Sequence, residues 1–301
     1  MLGIIILNYN EWDLSIDCIQ SIRETVQNKY KIYLVDNCSP QKYNDDFSGF
    51  IENSQDVVFM QSEVNKGFAG GNNIGLKKAI EEGCDCFLVT NNDVVFKPKC
   101  IDAMLEFLNS NTNVGIVGPK VFTPDGSIQE INMGCKMTIS GKYLYILRKT
   151  PLKILSRGFV RKFHCEQESL NKPFKVYAVS GCCFMIRGSI INELYPLDEG
   201  TFLYEEENII GIKMERLQLD TVYCTDAEIL HLGGGSTQTI SEFSYKCGVN
   251  SELYYCKRYL NCNFLQILPL YLIRAAVYAK TYGVNKLHTF FKDTFGRAIR
   301  S

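Results

Sequence analysis

The sequence predicts an α/β protein built on a mainly parallel central sheet with helices on both faces. Two observations carry that reading. Strand-like and helix-like segments alternate regularly through the first 120 residues, and the strand segments are continuous apolar runs without polar alternation. Such strands are buried on both faces, which is what helix-covered parallel sheets require.

The elements follow in order. Gly3 to Leu7 is a short β-rich run, and Asp13 to Val26 places Leu14, Cys18, Ile19, Ile22 and Val26 on helical spacing. Lys31 to Val35 and Val57 to Met60 are strands, Gly71 to Glu82 is a helix, and Cys84 to Thr90 is a strand. Pro98 to Leu108 reads as a helix and Val114 to Val117 as a strand. From 121 to 176 the pattern loosens around the turn Thr123-Pro124-Asp125-Gly126. Regular signals return with strands at Val176 to Val179 and Cys182 to Ile186, followed by Gly188 and a short helix. Glu205 to Leu217 is helical, Thr221 to Cys224 and Glu228 to His231 are strand candidates, and the chain after Ile240 is largely helical.

Composition narrows the function classes. Of 301 residues, 46% are hydrophobic and 22% charged, which excludes a disordered or fibrous chain. The formal net charge of -1 gives no basic surplus for a nucleic-acid partner. Lys and Arg nevertheless cluster, nine between Lys142 and Lys175 and eight between Lys257 and Ser301. The 13 cysteines are odd in number and include no Cys-x-x-Cys pair, so buried thiols of a reduced compartment are expected, and the cytoplasm fits. The chain enters its first strand at Leu2 with no basic leader, so a secretory signal is not expected. The apolar stretch from Phe264 to Ala279 is broken by Pro269 and Arg274 and is too short to span a bilayer.

In open parallel sheets, ligands bind beyond the carboxyl ends of the strands. Here those ends read Asn8-Tyr9-Asn10, Asp36-Asn37 and Asn91-Asn92-Asp93. Each cluster alone could be a turn or a helix cap; three at equivalent ends point to a binding edge. A carboxylate at a strand end needs a partner, so Asp93 should meet water, a capped backbone or a cation. "NKGFAGGNNIG", residues 65 to 75, is the most glycine-dense stretch and runs into a helix, where free amides favour anions. It is neither a dinucleotide fingerprint nor a P-loop.

Together these segments resemble the family 2 glycosyltransferases, inverting enzymes of the GT-A fold that use nucleotide-activated sugars. The matching pieces, in family order, are "IIILNYNEWD", "IYLVDNCSP", "NKGFAGGNNIG", "FLVTNNDVVF", "AVSGCCFMIRG", "LDEGTFLYEEEN" and "HLGGGS". Within the family the chain looks most like the rhamnosyltransferase-like group. The resemblance implies a GT-A domain over residues 1–236, with a nucleotide-binding half (1–120) and an acceptor half (121–236). Residues 237–301 form a C-terminal helical extension.

The same resemblance assigns roles. Asp36 would read a uracil or thymine base flanked by Asn8 and Asn10, with Gly70, Gly71 and Asn72 along the nucleotide. Asn91-Asn92-Asp93 stands where the family carries Asp-x-Asp, so Asp93 would bind a divalent ion against the donor diphosphate, with Asn91 in place of one aspartate. His231 would be a second ligand or else a packed histidine, and a mixed oxygen and imidazole set suits Mn2+ somewhat better than Mg2+. The family's acid pair falls on Glu206-Glu207, placing the base at Glu207 with Glu206 as the near alternative. Three adjacent carboxylates, Glu205 to Glu207, disfavour full ionisation and raise one pKa; an acidic helix start is the structural alternative. Where many relatives carry aspartate two positions later, this chain has Ile209.

Ser180 and Gly181 would face the acceptor. Trp12 is either a stacking platform or helix-start packing, and Asp198 and Glu199 could contact acceptor hydroxyls. The implied activity is metal-dependent inverting transfer of a hexose or deoxyhexose from a UDP- or dTDP-sugar to a glycan or lipid-linked saccharide, in cell-surface polysaccharide synthesis. A nucleotide-sugar-binding scaffold without turnover is the alternative, motivated by Asn91 and Ile209. The basic segments and the apolar residues around Leu265 to Val277 raise contact with an anionic membrane surface at the inner face of the cell membrane.

Overall fold

The computed structural model describes residues 1–130, 133–233 and 241–299, the last of these with side chains to 296. The first half alternates as expected. Strand β1 (Leu2–Asn8) leads through α1 (Trp12–Thr25) to β2 (Tyr30–Asp36), then α2 (Asp45–Glu52), β3 (Val57–Gln61) and α3 (Gly67–Glu81). Strands β4 (Cys86–Asn91) and β5 (Val94–Phe96), helix α4 (Cys100–Ser110) and strand β6 (Val114–Phe122) complete it. Two helices, α5 (Ile139–Leu147) and α6 (Lys153–Phe163), occupy the stretch where sequence periodicity loosens. Next come β7 (Phe174–Val176), β8 (Cys183–Arg187), the single turn α7 (Ile191–Leu194), α8 (Glu206–Leu217) and β9 (Asp220–His231). The C-terminal part holds α9 (Glu242–Arg258), α10 (Phe264–Tyr282) and α11 (Leu287–Ile299).

The strands form one sheet in the order β3-β2-β1-β4-β8-β6-β9-β5, with β7 also on β9. Strands β1, β2, β3 and β4 pair in parallel, as do β6 and β9. Antiparallel β8 lies between β4 and β6, and the two short strands β5 and β7 pair antiparallel with β9. The sheet is therefore mixed but mainly parallel. The two strand candidates after Thr221 are one strand, irregular where its pairing with β6 shifts register between Pro119 and Lys120.

The period-two geometry of a strand sends alternate side chains to opposite faces. Ile4 and Ile6 accordingly join the core under α1 and α4, while Ile5 joins the core under α3. Both sets are fully buried, each side chain contributing roughly 1.5–3 kcal/mol of transfer free energy. Gly75 lets α3 approach the sheet: a Cβ there would stand 2.6 Å from Ile5 Cγ2. A third core joins Ile209 and Ile212 of α8 to Leu253, Ile267, Leu270, Tyr271 and Tyr278 of α9 and α10. The apolar stretch around Leu265 to Val277 is thus partly a helix–helix interface, and among the described residues no helix is long and apolar enough to cross a membrane. All thirteen cysteines are free thiols. The expected domain boundary at 236/237 lies outside the described residues, as do Gly234, Gly235 and Ser236 of the "HLGGGS" segment.

Candidate functional site

Parallel register brings the polar strand ends to one edge. Asn8 pairs with Asp36 across β1 and β2, and Leu7 pairs with Asn91 across β1 and β4. The Asp36 carboxylate accepts from Ser39 Oγ at 2.5 Å, Ser39 N at 3.2 Å, Asn8 Nδ2 at 3.3 Å and Gln61 Nε2 at 3.3 Å. Asn8 in turn accepts from Asn92 Nδ2 at 2.9 Å, and Ser15 Oγ stands 3.1 Å from the same oxygen. Asn10 takes a left-handed φ of 70°, a region Asn tolerates, donates its N–H to Ser39 Oγ at 2.7 Å and accepts from Gln41 N at 3.1 Å.

These contacts revise part of the sequence expectation. Asn92 is buried, and its amide is engaged by Asn8, Ser15 and the Glu11 carbonyl within 3.0 Å. Asn72 is fully buried too, donating to the Phe68 carbonyl. Asn92 thus ties the strand ends together from beneath, while Asn72 donates within α3 and keeps a buried Oδ1 without a hydrogen-bond partner. Helix α3 also begins at Gly67, four residues before the expected Gly71, so Gly70 and Gly71 are helical and not a preceding loop. A Cβ on Gly71 would stand 2.5 Å from Leu7 and 3.1 Å from Asn37; on Gly70 it would meet Lys66 at 2.7 Å. Close approach of α3 to the strand ends explains Gly71.

Sequence reasoning missed Ser39, Gln61, Asn37 and Asn73. Asn37 donates to the Gly67 carbonyl at 2.9 Å and accepts from Lys66 N at 3.0 Å, tying β2 to the start of α3. Asn73 donates to the Leu197 carbonyl and accepts from Leu197 N, fixing the loop that leads toward α8. Trp12 settles as packing: its indole donates to the Gln41 carbonyl at 3.0 Å among Tyr43, Phe47 and Phe59.

Beyond β4 the chain turns at Asn91-Asn92-Asp93 and pairs Val94 with His231. That pairing sets His231 Nε2 3.3 Å from Asp93 Oδ1. The contact lacks hydrogen-bond alignment, so Asp93 Oδ1 is a buried oxygen without a hydrogen-bond partner. The other ring nitrogen, His231 Nδ1, lies 3.2 Å from Gln129 Oε1. An amide oxygen can only accept, so Nδ1 is the nitrogen that donates to Gln129, and Nε2 is the ring nitrogen turned to Asp93. A Cβ at position 233 would stand 2.2 Å from Asp93 Oδ2, so Gly233 is what lets the Asp93 carboxylate take this position. An unsatisfied carboxylate oxygen beside an imidazole nitrogen is a donor set that fits a divalent cation. Among the described residues no third His, Cys, Asp or Glu joins them, so further ligands would come from donor oxygens and water.

Three glutamates open α8, and the structure separates them. Tyr204 and Glu205 both have left-handed φ, 74° and 72°, a conformation that costs bulky residues on the order of 1 kcal/mol or more each. Glu205 is spent: it pairs with Lys142 Nζ at 2.8 Å and accepts from Asn208 Nδ2 at 3.0 Å. Glu206 turns into a small apolar recess with Ala69, Leu197, Asp198, Ile209, Ile210 and Lys213, where Oε1 has no hydrogen-bond partner. Burial, followed by the charge of Glu207, pushes its pKa up to about 8. Glu207 accepts from Gly181 N at 3.1 Å and faces a separate cavity of about 150 Å³. Burial raises its pKa as well. A Cβ at position 181 would stand 2.8 Å from Glu207 Oε1, so Gly181 gives that carboxylate the room to approach its N–H.

The cavity beneath Glu207 is lined by Ser180, Tyr223, Glu130 and Gln129, the same Gln129 that contacts His231. One residue thus joins the Asp93–His231 pair to the wall of the Glu207 cavity. Cys182 lies between the two, and burial pushes its thiol up to about 12 with smaller contributions from the charges of Asp93 and Glu207. It stays a neutral wall of the site.

The C-terminal helices grip this region from behind. Asp198 accepts from Tyr254 at 3.0 Å and from Tyr259, and Ser251 donates to the Leu203 carbonyl at 2.8 Å. Asp198 is therefore engaged by α9 and the residue following it, and Glu199 accepts from Asn73. Lys142 is shared between Glu205 and Glu252, and Arg274 makes a two-pronged contact with Glu252 at 2.7 and 2.8 Å. Burial alone would lower the Lys142 pKa, yet the charges of Glu205 and Glu252 raise it above its ordinary value. Two cations and two anions close a buried, charge-balanced network between α5, α8, α9 and α10.

The chain is similar to known proteins in sequence and in fold. A low-salt glycan biosynthesis hexosyltransferase, Agl10, of Haloferax volcanii is 23% identical over 263 residues, covering 87% of this chain and 75% of its own. An N-acetylglucosaminyl-diphospho-decaprenol L-rhamnosyltransferase of Mycobacterium tuberculosis is 28% identical over 154 residues, 51% of this chain and 48% of its own. Two solved structures share the fold. GalNAc-T7 with UDP, GalNAc and Mn2+ superposes with a TM-score of 0.59 at 15% identity, over 86% of this chain and 51% of that one. S. aureus TarS in complex with UDP-GlcNAc superposes at 0.52 and 14%, over 84% of this chain and 66% of that one. The fold is GT-A, as the strand-end motifs imply. With the glycosyl transferase family 2 model matching residues 3–195, the chain belongs to that family.

Proposed function

We propose that this chain is a metal-dependent inverting transferase that moves a hexose or deoxyhexose from a UDP- or dTDP-sugar onto a glycan or lipid-linked saccharide. The observation that carries the reading is the shared wall: Gln129 links His231 and Asp93 to the cavity of Glu207. The hexosyl- and rhamnosyltransferase relatives support the substrate class.

In this reading Asp36, held by Ser39, Asn8 and Gln61, reads the pyrimidine, with Asn10 and Asn91 beside the nucleotide. Asp93 and His231 hold Mn2+ or Mg2+, which when bound neutralises charge on the departing diphosphate. Glu207 takes the acceptor hydroxyl proton, its raised pKa bringing it toward the range where a general base is effective. Glu206 is the weaker candidate because its carboxyl faces a different recess. Ser180 and Gly181 leave room for the acceptor.

Ile209 bears on the inactive-scaffold alternative. Its side chain packs in the third core at 2% exposure, so the departure from aspartate alters packing and not the Glu207 cavity. The test is a screen of UDP- and dTDP-sugars for Mn2+-dependent hydrolysis or transfer. Donor turnover is expected, and donor-dependent thermal stabilisation without any turnover would favour the scaffold.

A further inference from the structure

The middle of the basic segment between residues 142 and 175 folds into an exposed corner that the proposed transfer chemistry does not use. From Arg148 to Lys162 there are six Lys/Arg and no Asp or Glu. Among the described residues, no salt bridge holds Lys149, Lys153, Arg157 or Lys162; Arg161 reaches Glu166 only at 3.6 Å. At the tip of the same corner, Leu152, Ile154 and Leu155 are 54%, 69% and 64% exposed. Helix α6 buries only Ser156 and Phe163. Large apolar side chains held out in water and interleaved with cations form the kind of mixed surface that anionic interfaces bind.

The C-terminal basic segment makes the contrast. There Arg274 pairs with Glu252 and Lys286 with Glu242. Two of its eight Lys and Arg are thus held by acids of the protein, whereas Lys149, Lys153, Arg157 and Lys162 of the α5–α6 corner are in no salt bridge among the described residues.

We infer that the α5–α6 corner docks on an anionic lipid bilayer, with Leu152, Ile154 and Leu155 entering the headgroup boundary. Charge selects this occupant. A second copy would set six cations against six across a two-fold axis, while an anionic leaflet is complementary to them. The position is useful as well. At its far end α6 runs into His164, whose Nδ1 lies 3.3 Å from Glu130 Oε1, and Glu130 lines the Glu207 cavity. Eleven residues of helix span about 16 Å, so docking would hold that cavity roughly one helix length from the lipid surface. The inference deepens the proposed use of a lipid-linked acceptor, but binding to the bilayer itself requires no donor.

The test is sedimentation of the full chain with vesicles of phosphatidylcholine alone or with about one third phosphatidylglycerol. Binding to the anionic vesicles alone is expected, weakening as salt rises. The variants Ile154→Ser/Leu155→Ser and Lys153→Ala/Arg157→Ala should each lower the bound-to-free ratio by roughly tenfold or more, the second at about fivefold per cation removed. Lys280→Ala/Lys292→Ala should leave it unchanged. Equal binding to neutral vesicles, or unchanged binding by both corner variants, overturns the inference. So does a dimer in gel filtration that Ile154→Ser/Leu155→Ser converts to monomer, because a second copy would then cover the corner. Donor hydrolysis in solution, measured on the same variants, should stay at wild-type rate, which separates failure of docking from failure of the transferase reading.

Discussion

The two sides of the cleft handle their polar groups in opposite ways. At the strand ends that we propose face the nucleotide, Asp36, Asn8, Ser39, Ser15 and Asn92 are tied to one another by hydrogen bonds. On the reacting side, Asp93 Oδ1 and Glu206 Oε1 are buried without a hydrogen-bond partner, and both Glu206 and Glu207 hold protons more tightly than ordinary carboxyls. A satisfied network is rigid and pre-shaped; an unsatisfied one stores a free-energy cost that a ligand can relieve. The difference teaches where recognition ends and chemistry begins.

Substitutions on the reacting side should therefore cost turnover, while those in its support should cost stability. Asp93→Ala is expected to cut turnover by roughly a thousandfold or more, the several kcal/mol that a bound cation contributes to charge stabilisation. Steady-state kinetics with the best donor checks it, and near wild-type turnover would erase the contrast. Lys142→Met leaves Glu205 and Glu252 unbalanced in a buried network and should destabilise the fold by about 3–5 kcal/mol, read as a lower urea midpoint.

Gln129→Leu sharpens the comparison, because it removes an orienting contact and no ligand. Mn2+ affinity in the presence of UDP, followed by the loss of free-ion paramagnetic resonance signal, should fall roughly 10- to 100-fold with the melting temperature little changed. The smallest effect is at Glu206. Its carboxyl binds a proton more tightly in the folded chain, near pH 8, than in the unfolded chain, near 4.5. Its contribution to stability is therefore whole below pH 4.5 and is lost as pH rises through about 8. Glu206→Gln, which stays neutral, should stabilise the protein on the order of 1–3 kcal/mol at pH 8 relative to wild type and leave it nearly unchanged at pH 4.5.

The first half of the fold was legible because it obeys one rule. Apolar runs end in Asn or Asp, and parallel register then aligns those ends with no further information. The antiparallel insertion of β8 between β4 and β6 was not legible, since a buried strand of either direction has the same composition. Helix α2 has only Phe47 buried, so its apolar signal is faint, and α5 and α6 sit in a stretch whose charge masks the period.

At the site, Asp93 and Glu207 could be named from the order of motifs. Gln129 could not: it follows a turn, belongs to no periodic element, and meets His231 only because β6 pairs with β9. The burial of Asn72 and Asn92 was not legible either, because a buried amide and an exposed one look alike in sequence. The Lys142–Glu252 network joins residues more than a hundred positions apart, a distance at which local pattern is silent.

The central claim is that Glu207, and not its neighbours, removes the acceptor proton beside the Asp93–His231 pair. Turnover and donor affinity of Glu207→Gln, measured side by side with those of Glu206→Gln, test it most directly. Donor binding should persist in Glu207→Gln while turnover falls by roughly 10²- to 10⁴-fold, with a smaller loss in Glu206→Gln. Wild-type turnover in Glu207→Gln, or a loss confined to Glu206→Gln, would contradict it.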